Sequence, residues 1–332
     1  MKQTNLSIFI PHYGCPNCCS FCNQRTISGT KKTPTADEVY KILSEQQKVL
    51  AEKKMCAEIA FFGGSFTAVD RDYMISLLRA AQHFTANFSE QFCGIRCSTR
   101  PDCINRDILD ILKEYGMTTI ELGAQSMNDA VLAANRRGHT AGAVRNAAGL
   151  IKEYGFVLGL QMMTGLYKDK PEYCIETARE FIRLGADCVR IYPTVILKNT
   201  YLGELYENGE YESFGFDETV DLCAELLTMF SKADIPVIRL GLHSGGDFDG
   251  EILGGVYHPA LREITEGRIM FGRMKKAMDE SGKKRFRVYT DRRNISLISG
   301  HKKENKLKLS ELGYSFAITQ EDGTDLRIEE LP

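Results

Sequence analysis

The sequence predicts an α/β protein, a partial (β/α)6 barrel of parallel strands followed by a small C-terminal α+β extension. Three observations predict it. Short apolar runs recur from residues 6–11 to 235–240, each separated from the next by a helix-like stretch. Three helix-like runs end in glycine and lead straight into an apolar strand, at Tyr115-Gly116, Tyr154-Gly155 and Leu184-Gly185. Glycine suits that position because it adopts the left-handed conformation that ends a helix. Polar, cysteine-rich or glycine-rich phrases follow several of the strands, and barrels of this kind carry their chemistry at the strands' C-terminal ends.

The elements follow in order. Leu6-Ser7-Ile8-Phe9-Ile10-Pro11 reads as a first strand ended by proline. A cysteine-rich loop comes next, closed by Gly29 and Pro34. Thr35 then caps a helix with early acids, Asp37 and Glu38, that runs to about 54. Strand 57–62 enters Gly63-Gly64-Ser65, and a helix over 70–84 leads to a strand at 92–97. The three glycine-stopped helices feed strands at 118–122, 156–160 and 188–193. These short strands look buried on both faces, as a parallel sheet covered by helices demands. A last helix over 217–231 leads to strand 235–240, and six α/β units result. Residues 241–255, with six glycines, read as a loop. Beyond it come a helix near 259–277, a strand-like stretch at 285–297 and a mixed region at 311–331.

At 332 residues the chain divides into a core over 1–245 and an extension over 246–332 that binds substrate or closes the barrel. Its 43% hydrophobic and 26% charged residues are ordinary for a globular protein. No apolar run reaches about 18 residues, so no membrane partner is expected. The N-terminus lacks the pattern of a signal peptide. Eleven unevenly spaced cysteines suit a reducing cytoplasm better than a disulfide framework. Charge is uneven: residues 268–308 hold 14 Lys and Arg against four acids, a net of +10, which leaves −12 for the rest of a chain of net −2. Such asymmetry points to an anionic partner, or to a solvated basic surface.

Cys15-Pro16-Asn17-Cys18-Cys19-Ser20-Phe21-Cys22 holds four cysteines in eight residues. Two triplets can be read: Cys15, Cys19 and Cys22, or Cys15, Cys18 and Cys22. Electron-transfer clusters use four cysteines, and zinc sites use cysteine pairs with a second pair or histidines further along. A zinc loop or a redox-active cysteine cluster is the plainer alternative.

The first triplet resembles the iron–sulfur motif of the radical S-adenosylmethionine (SAM) superfamily, including the aromatic Phe21 before the last cysteine. The phrases Thr99-Arg100-Pro101-Asp102, Gly123-Ala124-Gln125-Ser126 and Arg137-Gly138-His139-Thr140 are similar to two of its groups. One is the radical SAM domain of the Elongator catalytic subunit, without its acetyltransferase domain. The other is the oxygen-independent coproporphyrinogen oxidases. The resemblance implies a TIM-like partial barrel. It implies that Cys15, Cys19 and Cys22 bind a [4Fe–4S] cluster whose open iron takes SAM. Reduction by a protein such as flavodoxin or ferredoxin would then cleave SAM to methionine and a 5′-deoxyadenosyl radical.

By the same resemblance Gly63, Gly64 and Ser65 approach the methionine end of SAM, and Arg137 takes its carboxylate. Gln125 meets the ribose or the carboxylate. Gln161 stands where relatives often have aspartate, and Ser98 where some have a glutamate for the amino group. Phe21 stacks on adenine. For each polar residue alone, a strand-end hydrogen bond is the structural alternative. Cys18 departs from the pattern as an idle thiol or a rival ligand, and Cys93, Cys97 and Cys103 raise the question of a second cluster. Tyr192, Arg239, His243, Asp247 and His258 are candidates for substrate binding or barrel closure. The implied substrate is RNA, a tRNA base, met in part by Arg285-Phe286-Arg287-Val288-Tyr289. The alternatives are a coproporphyrinogen oxidase-like enzyme on a small anionic molecule and a non-catalytic iron–sulfur or haem-binding protein.

Overall fold

A computed structural model describes residues 2–10, 13–15, 19–23, 26–27, 32–242 and 250–331. It divides into two compact units, Met1–Phe214 with Phe230–Val256, and Gly215–Met229 with Tyr257–Pro332.

The first unit is built on one parallel sheet. Its strands are β1 (Lys2–Phe9), β2 (Met55–Phe62), β3 (Phe92–Thr99), β4 (Met117–Gln125), β5 (Val157–Thr164), β6 (Cys188–Pro193) and, after a short β7 (Val195–Leu197), β8 (Val237–Leu240). Their order in the sheet is β1-β2-β3-β4-β5-β6-β8, the curled partial barrel that the strand pattern predicts. Six strand–helix units are present, and β8 adds a seventh strand, with Val189 opposite Val237. The helices between strands are α1 (Ala36–Glu52), α2 (Arg71–Asn87), α3 (Arg106–Glu114), α4 (Asp129–Ala134), α5 (Ala141–Glu153), α6 (Pro171–Arg183), α7 (Tyr201–Glu207) and α8 (Phe216–Lys232).

Local chemistry sets the helix ends. Thr35 Oγ1 accepts from the Glu38 N–H at 3.2 Å and Glu38 accepts from the Thr35 N–H at 2.8 Å, a reciprocal cap on α1. Asp70 caps α2 through the Tyr73 N–H at 3.0 Å. Gly116, Gly155 and Gly185 follow α3, α5 and α6 with φ of +76°, +77° and +67°, as their place in the repeated phrase requires.

The apolar core lies on the outer face of the sheet. Ile59, Phe61, Ile95, Ile120, Leu122, Leu158, Leu160, Val189 and Ile191 are buried there, as are Leu77, Leu109, Val144 and Phe181 on the helices. The strands are buried on both faces as expected, but part of the inner face is charged. Glu58, Arg96, Glu121 and Arg190, from four strands, form one ion-pair network. Each sits two residues from its inward neighbours, so the strand period alone brings them inside.

The loop expected over 241–255 is in part a strand. β9 (Ile252–Gly255) pairs antiparallel with β7, Val195 opposite Gly255. A Cβ at Gly255 would lie 2.3 Å from the Thr194 carbonyl oxygen, so only glycine permits this pairing.

The second unit holds α9 (Leu261–Ser281), β10 (Arg285–Thr290), α10 (Ile295–Ser299), α11 (Glu304–Glu311), β11 (Ser315–Gln320) and β12 (Arg327–Glu330). The strand expected over 285–297 ends at Thr290, because Asp291 accepts from the Arg293 N–H at 3.0 Å and turns the chain into a helical segment. β10 lies between β11, parallel, and β12, antiparallel. Its core is Met270, Met274, Met278, Phe286, Val288, Ile298, Leu309 and Tyr314. Gly215–Met229 belongs with this unit, and Arg268 bonds Asp217 at 2.7 Å and also Asp221.

Candidate active site

The C-terminal ends of the strands open into a cavity of about 590 Å³. It is lined by Cys15, Cys19, Phe21, Cys22, Gly63, Gly64, Ser98, Gln125, Arg137 and Gln161, ten of the eleven expected site residues. Ser65 is the exception. It is wholly buried, its hydroxyl lies 2.9 Å from Thr99 Oγ1, and its N–H donates to the Tyr13 carbonyl at 3.1 Å.

The cysteine loop is fastened at both ends. At its start, a Cβ on Gly64 would stand 2.3 Å from the Tyr13 oxygen and 2.6 Å from the Ile10 oxygen. The missing side chain of Gly64 therefore admits the loop's own backbone, while the residue also lines the cavity. At its end, the Ser20 hydroxyl donates to Asn135 Oδ1 at 2.7 Å, and the Ser20 carbonyl accepts from the Leu202 N–H at 2.7 Å. Asn135 Nδ2 spends its donors on the Val131 and Tyr167 carbonyls at 2.8 and 2.9 Å. Both residues are fully buried. Sequence reasoning passed over them, because an isolated Ser and Asn carry no pattern.

Arg137 is the centre of the polar wall. Its Nη1 donates to Cys19 Sγ at 3.0 Å, its Nη2 donates to the Gly123 carbonyl, and its buried Nε has no partner among the described residues. Gln125 closes β4 with φ of +67°, where β4 and β5 lose register between Leu122 and Gln125. Such irregularities re-aim side chains near functional sites. Its Oε1 is buried without a partner among the described residues. Two orphaned polar atoms, on side chains that line one cavity with three cysteines, are the kind of groups that a cluster-bound amino acid would satisfy, so the residues fit that expectation.

The phrase Thr99-Arg100-Pro101-Asp102 braces this wall. Arg100 is gripped by both oxygens of Asp102 at 3.0 Å and donates to the Arg137 carbonyl at 2.5 Å. His139 is buried beside it with Nε2 unpartnered. Burial, with help from the Arg137 and Arg100 charges, lowers its pKa to about 4, so the ring is neutral at pH 7.

Ser98 and Gln161 are bound to one another. Gln161 Nε2 donates to Ser98 Oγ at 3.0 Å and to Glu121 Oε2 at 2.8 Å. Glu121 also grips Arg190 at 2.5 and 2.9 Å and Arg96 at 2.7 Å. Burial by itself raises the Glu121 carboxyl, but Arg190 and then Arg96 hold it below its ordinary value. The signal for this network was a charge inside an apolar strand, as in Cys188-Val189-Arg190-Ile191-Tyr192.

Phe21 lines the cavity and packs against the cluster of Ile196, Leu202, Leu205 and Tyr211. Tyr192 and Arg239 also line it. Cys18, His243 and Asp247 lie outside the described residues. His258 belongs to the second unit, where Nδ1 accepts from the Ala260 N–H at 3.0 Å and the ring packs on Phe216 and His301. Among the described residues no three Cys, His, Asp or Glu side chains converge on a single metal position. Cys93 is exposed and Cys97 buried.

In the second unit the stretch from Arg285 to Tyr289 splits by face. Phe286 and Val288 are core, so neither is available to a base. Arg285 and Arg287 are exposed. The Tyr289 hydroxyl donates to Glu329 at 2.6 Å, and the Arg327 guanidinium lies 3.7 Å from its ring centre. Part of the basic excess is matched within the unit: Arg268 by Asp217 and Asp221, Arg273 by Asp325, Lys275 by Asp279 and Lys308 by Glu304. Among the described residues no helix is long and apolar enough to cross a membrane.

A family model described as the Radical SAM superfamily matches residues 9–181, and one described as the Radical SAM C-terminal domain matches residues 186–270. Elongator complex protein 3 of Homo sapiens is 32% identical over 252 residues, which cover 68% of this chain and 44% of that protein. Elongator complex protein 3 of Saccharomyces cerevisiae is 30% identical over 203 residues, 56% of this chain and 36% of that protein. The matched region thus spans less than half the length of these relatives. Among solved structures, Elp3 of the archaeon Methanocaldococcus infernus, with an N-terminal deletion, aligns with a TM-score of 0.62 at 18% identity, covering 85% of this chain and 64% of that one. Coproporphyrinogen III oxidase of Escherichia coli aligns with a TM-score of 0.50 at 18% identity, covering 70% of this chain and 53% of that one.

Proposed function

The chain belongs to the radical SAM superfamily, whose members use a [4Fe–4S] cluster and SAM, and on that premise we propose that it is an RNA-modifying enzyme acting on a tRNA base. The observation that carries the catalytic half is the convergence of Cys15, Cys19 and Cys22 on one cavity with the unpartnered Arg137 Nε and Gln125 Oε1. The substrate half rests on the likeness to Elongator complex protein 3, and exposed Arg285 and Arg287 supply charge for phosphates.

Cys15, Cys19 and Cys22 would hold the cluster as thiolates. When bound, the cluster would supply one electron to the sulfonium of SAM, the chemistry that releases methionine and generates a radical on the adenosyl part. The protein's part is position and exclusion of water. Arg137 is braced by Arg100 and offers Nε to a carboxylate, where a charged donor is worth roughly twice a neutral one. Gln125 presents Oε1 as an acceptor for an ammonium or a hydroxyl. Gln161, held by Ser98 and Glu121, would accept from a ribose hydroxyl. Phe21 offers a ring to adenine, and base–aromatic stacking is worth about 1–3 kcal/mol.

The test is anaerobic. The cluster is reconstituted, SAM and dithionite are added, and 5′-deoxyadenosine is quantified, with a Cys15/Cys19/Cys22→Ala triple variant as control. Product from the wild type alone supports the radical chemistry, and faster release with added tRNA than with porphyrinogen supports the substrate. An intact cluster whose electron paramagnetic resonance signal ignores SAM would overturn the enzyme reading.

A further inference from the structure

The cavity is lined by four arginines and, among the described residues, by no Asp or Glu. Two of the four are matched from behind: Arg100 by Asp102, and Arg190 by Glu121. Arg137 and Arg239 have no ion-pair partner among the described residues. Arg137 stands beside Cys19, where the proposed function needs it for the carboxylate of SAM. Arg239 stands on β8, in the sector of β6 to β8 that none of the proposed SAM contacts occupies.

Arg239 Nε donates to the Gly241 carbonyl at 3.0 Å, which fixes the guanidinium, and among the described residues neither terminal nitrogen has a hydrogen-bond partner. The backbone of Arg239 is opposite Arg190, and Tyr192 lies two residues further along β6. Burial pushes the Tyr192 phenol up, and Arg190 and Arg239 both act against that shift, so it remains a protonated donor close to both cations. Val195, Leu197, Ile238 and Leu242 give this sector an apolar wall. An unmatched cation in a confined space attracts an anion, and a guanidinium fork suits the two oxygens of a carboxylate or phosphate.

We propose that Arg239 and Tyr192 form a substrate subsite for an oxyanion, a phosphate or carboxylate carried on an apolar or aromatic body. The inference rests on the reading in which Arg137 is taken by SAM. It deepens that reading, because it puts an anionic group of the substrate inside the cavity opposite the cofactor.

The test uses the reconstituted chain with saturating SAM and two matched probe pairs in calorimetric titrations. One pair is nucleoside 5′-monophosphates against the same nucleosides. The other is coproporphyrin against its methyl ester. The anionic member of at least one pair is expected to bind about tenfold more tightly, the scale of one charged hydrogen bond. The pair that shows it distinguishes a phosphate source from a carboxylate source. Arg239→Gln should abolish the preference, Arg239→Lys should keep part of it, and Tyr192→Phe should weaken it. SAM affinity should be unchanged in Arg239→Gln and lost in Arg137→Gln. Wild type without preference in either pair, or a preference that survives Arg239→Gln in a folded, cluster-loaded variant, would overturn the subsite. If Arg137→Gln keeps its SAM affinity, the cofactor assignment fails instead, and the charge preference still judges Arg239 by itself.

Discussion

Gly64 and Tyr13 are packed so closely that a Cβ on Gly64 would stand 2.3 Å from the Tyr13 carbonyl oxygen. The obstacle is backbone on both sides, since the Ile10 oxygen would be 2.6 Å away, and no rotamer change relieves it. Gly64→Ala should therefore displace the start of the cysteine loop at a cost of about 1–3 kcal/mol or more. Iron and labile sulfide per chain should fall sharply while far-UV circular dichroism stays near wild type. Normal cluster content in this variant would show that the loop is not pinned there.

Asn135 fastens the other end of the loop. Asn135→Ala leaves the Ser20 hydroxyl and the half-buried Tyr167 carbonyl without this partner, while the Val131 carbonyl keeps the backbone N–H of residue 135, and the loss costs about 2 kcal/mol. Thermal unfolding should shift down by roughly 4–8 °C. Cluster loading should fall with it, although Asn135 lies on no cavity wall.

Glu121 faces two guanidiniums in the barrel interior. Glu121→Gln removes the one charge that Arg96 and Arg190 share, and breaking a buried pair of this kind costs about 3–5 kcal/mol. Urea unfolding should show the loss. A loss below about 1 kcal/mol, the scale of an exposed pair, would mean that water reaches the network.

His139 gives a pH dependence with a definite sign. Its folded pKa is about 4, below the ordinary 6.5, so the unfolded chain binds more protons between those values. Stability from this group is present above pH 6.5 and is lost as pH falls toward 4, by about 3 kcal/mol over the window. Denaturant unfolding of wild type and His139→Gln at pH 7 and pH 4 should show wild type losing that much relative to the variant. Parallel pH profiles would contradict it.

Phe286 is 1% exposed in the core of the second unit. Phe286→Ala should cost about 3–5 kcal/mol as a cavity mutation. Arg287→Ala should leave stability within about 0.5 kcal/mol, as surface substitutions usually do. If Arg287 meets RNA, its removal should weaken tRNA binding and make the salt dependence shallower by about one unit of slope.

The barrel was legible because its signals are local. Strand period, the capping residue Thr35, and glycine stops at 116, 155 and 185 act within a few residues of themselves. The cysteine spacing and the residues at strand ends were legible for the same reason: a parallel barrel delivers every strand end to one face. The strand read at 235–240 is β8, the last in the sheet, and it follows the same logic.

By itself, then, the sequence determined the fold class and most of the side chains that share a cavity. Tertiary structure decided what each of them does there. Gly64 turned out to make room for Tyr13 as well as to line the cavity, because close approach depends on a partner 51 positions away in the chain. Ser98 and Gln161, read as separate contacts, proved to be bonded to each other across 63 positions. Phe286 and Arg287, adjacent in one basic and aromatic phrase, went to opposite faces of a sheet, because that sheet has a core on one side only. Which of four cavity arginines have an ion-pair partner among the described residues depended on where Asp102 and Glu121 fell. Burial and pairing are properties of neighbours in space, and spacing along the chain does not carry them.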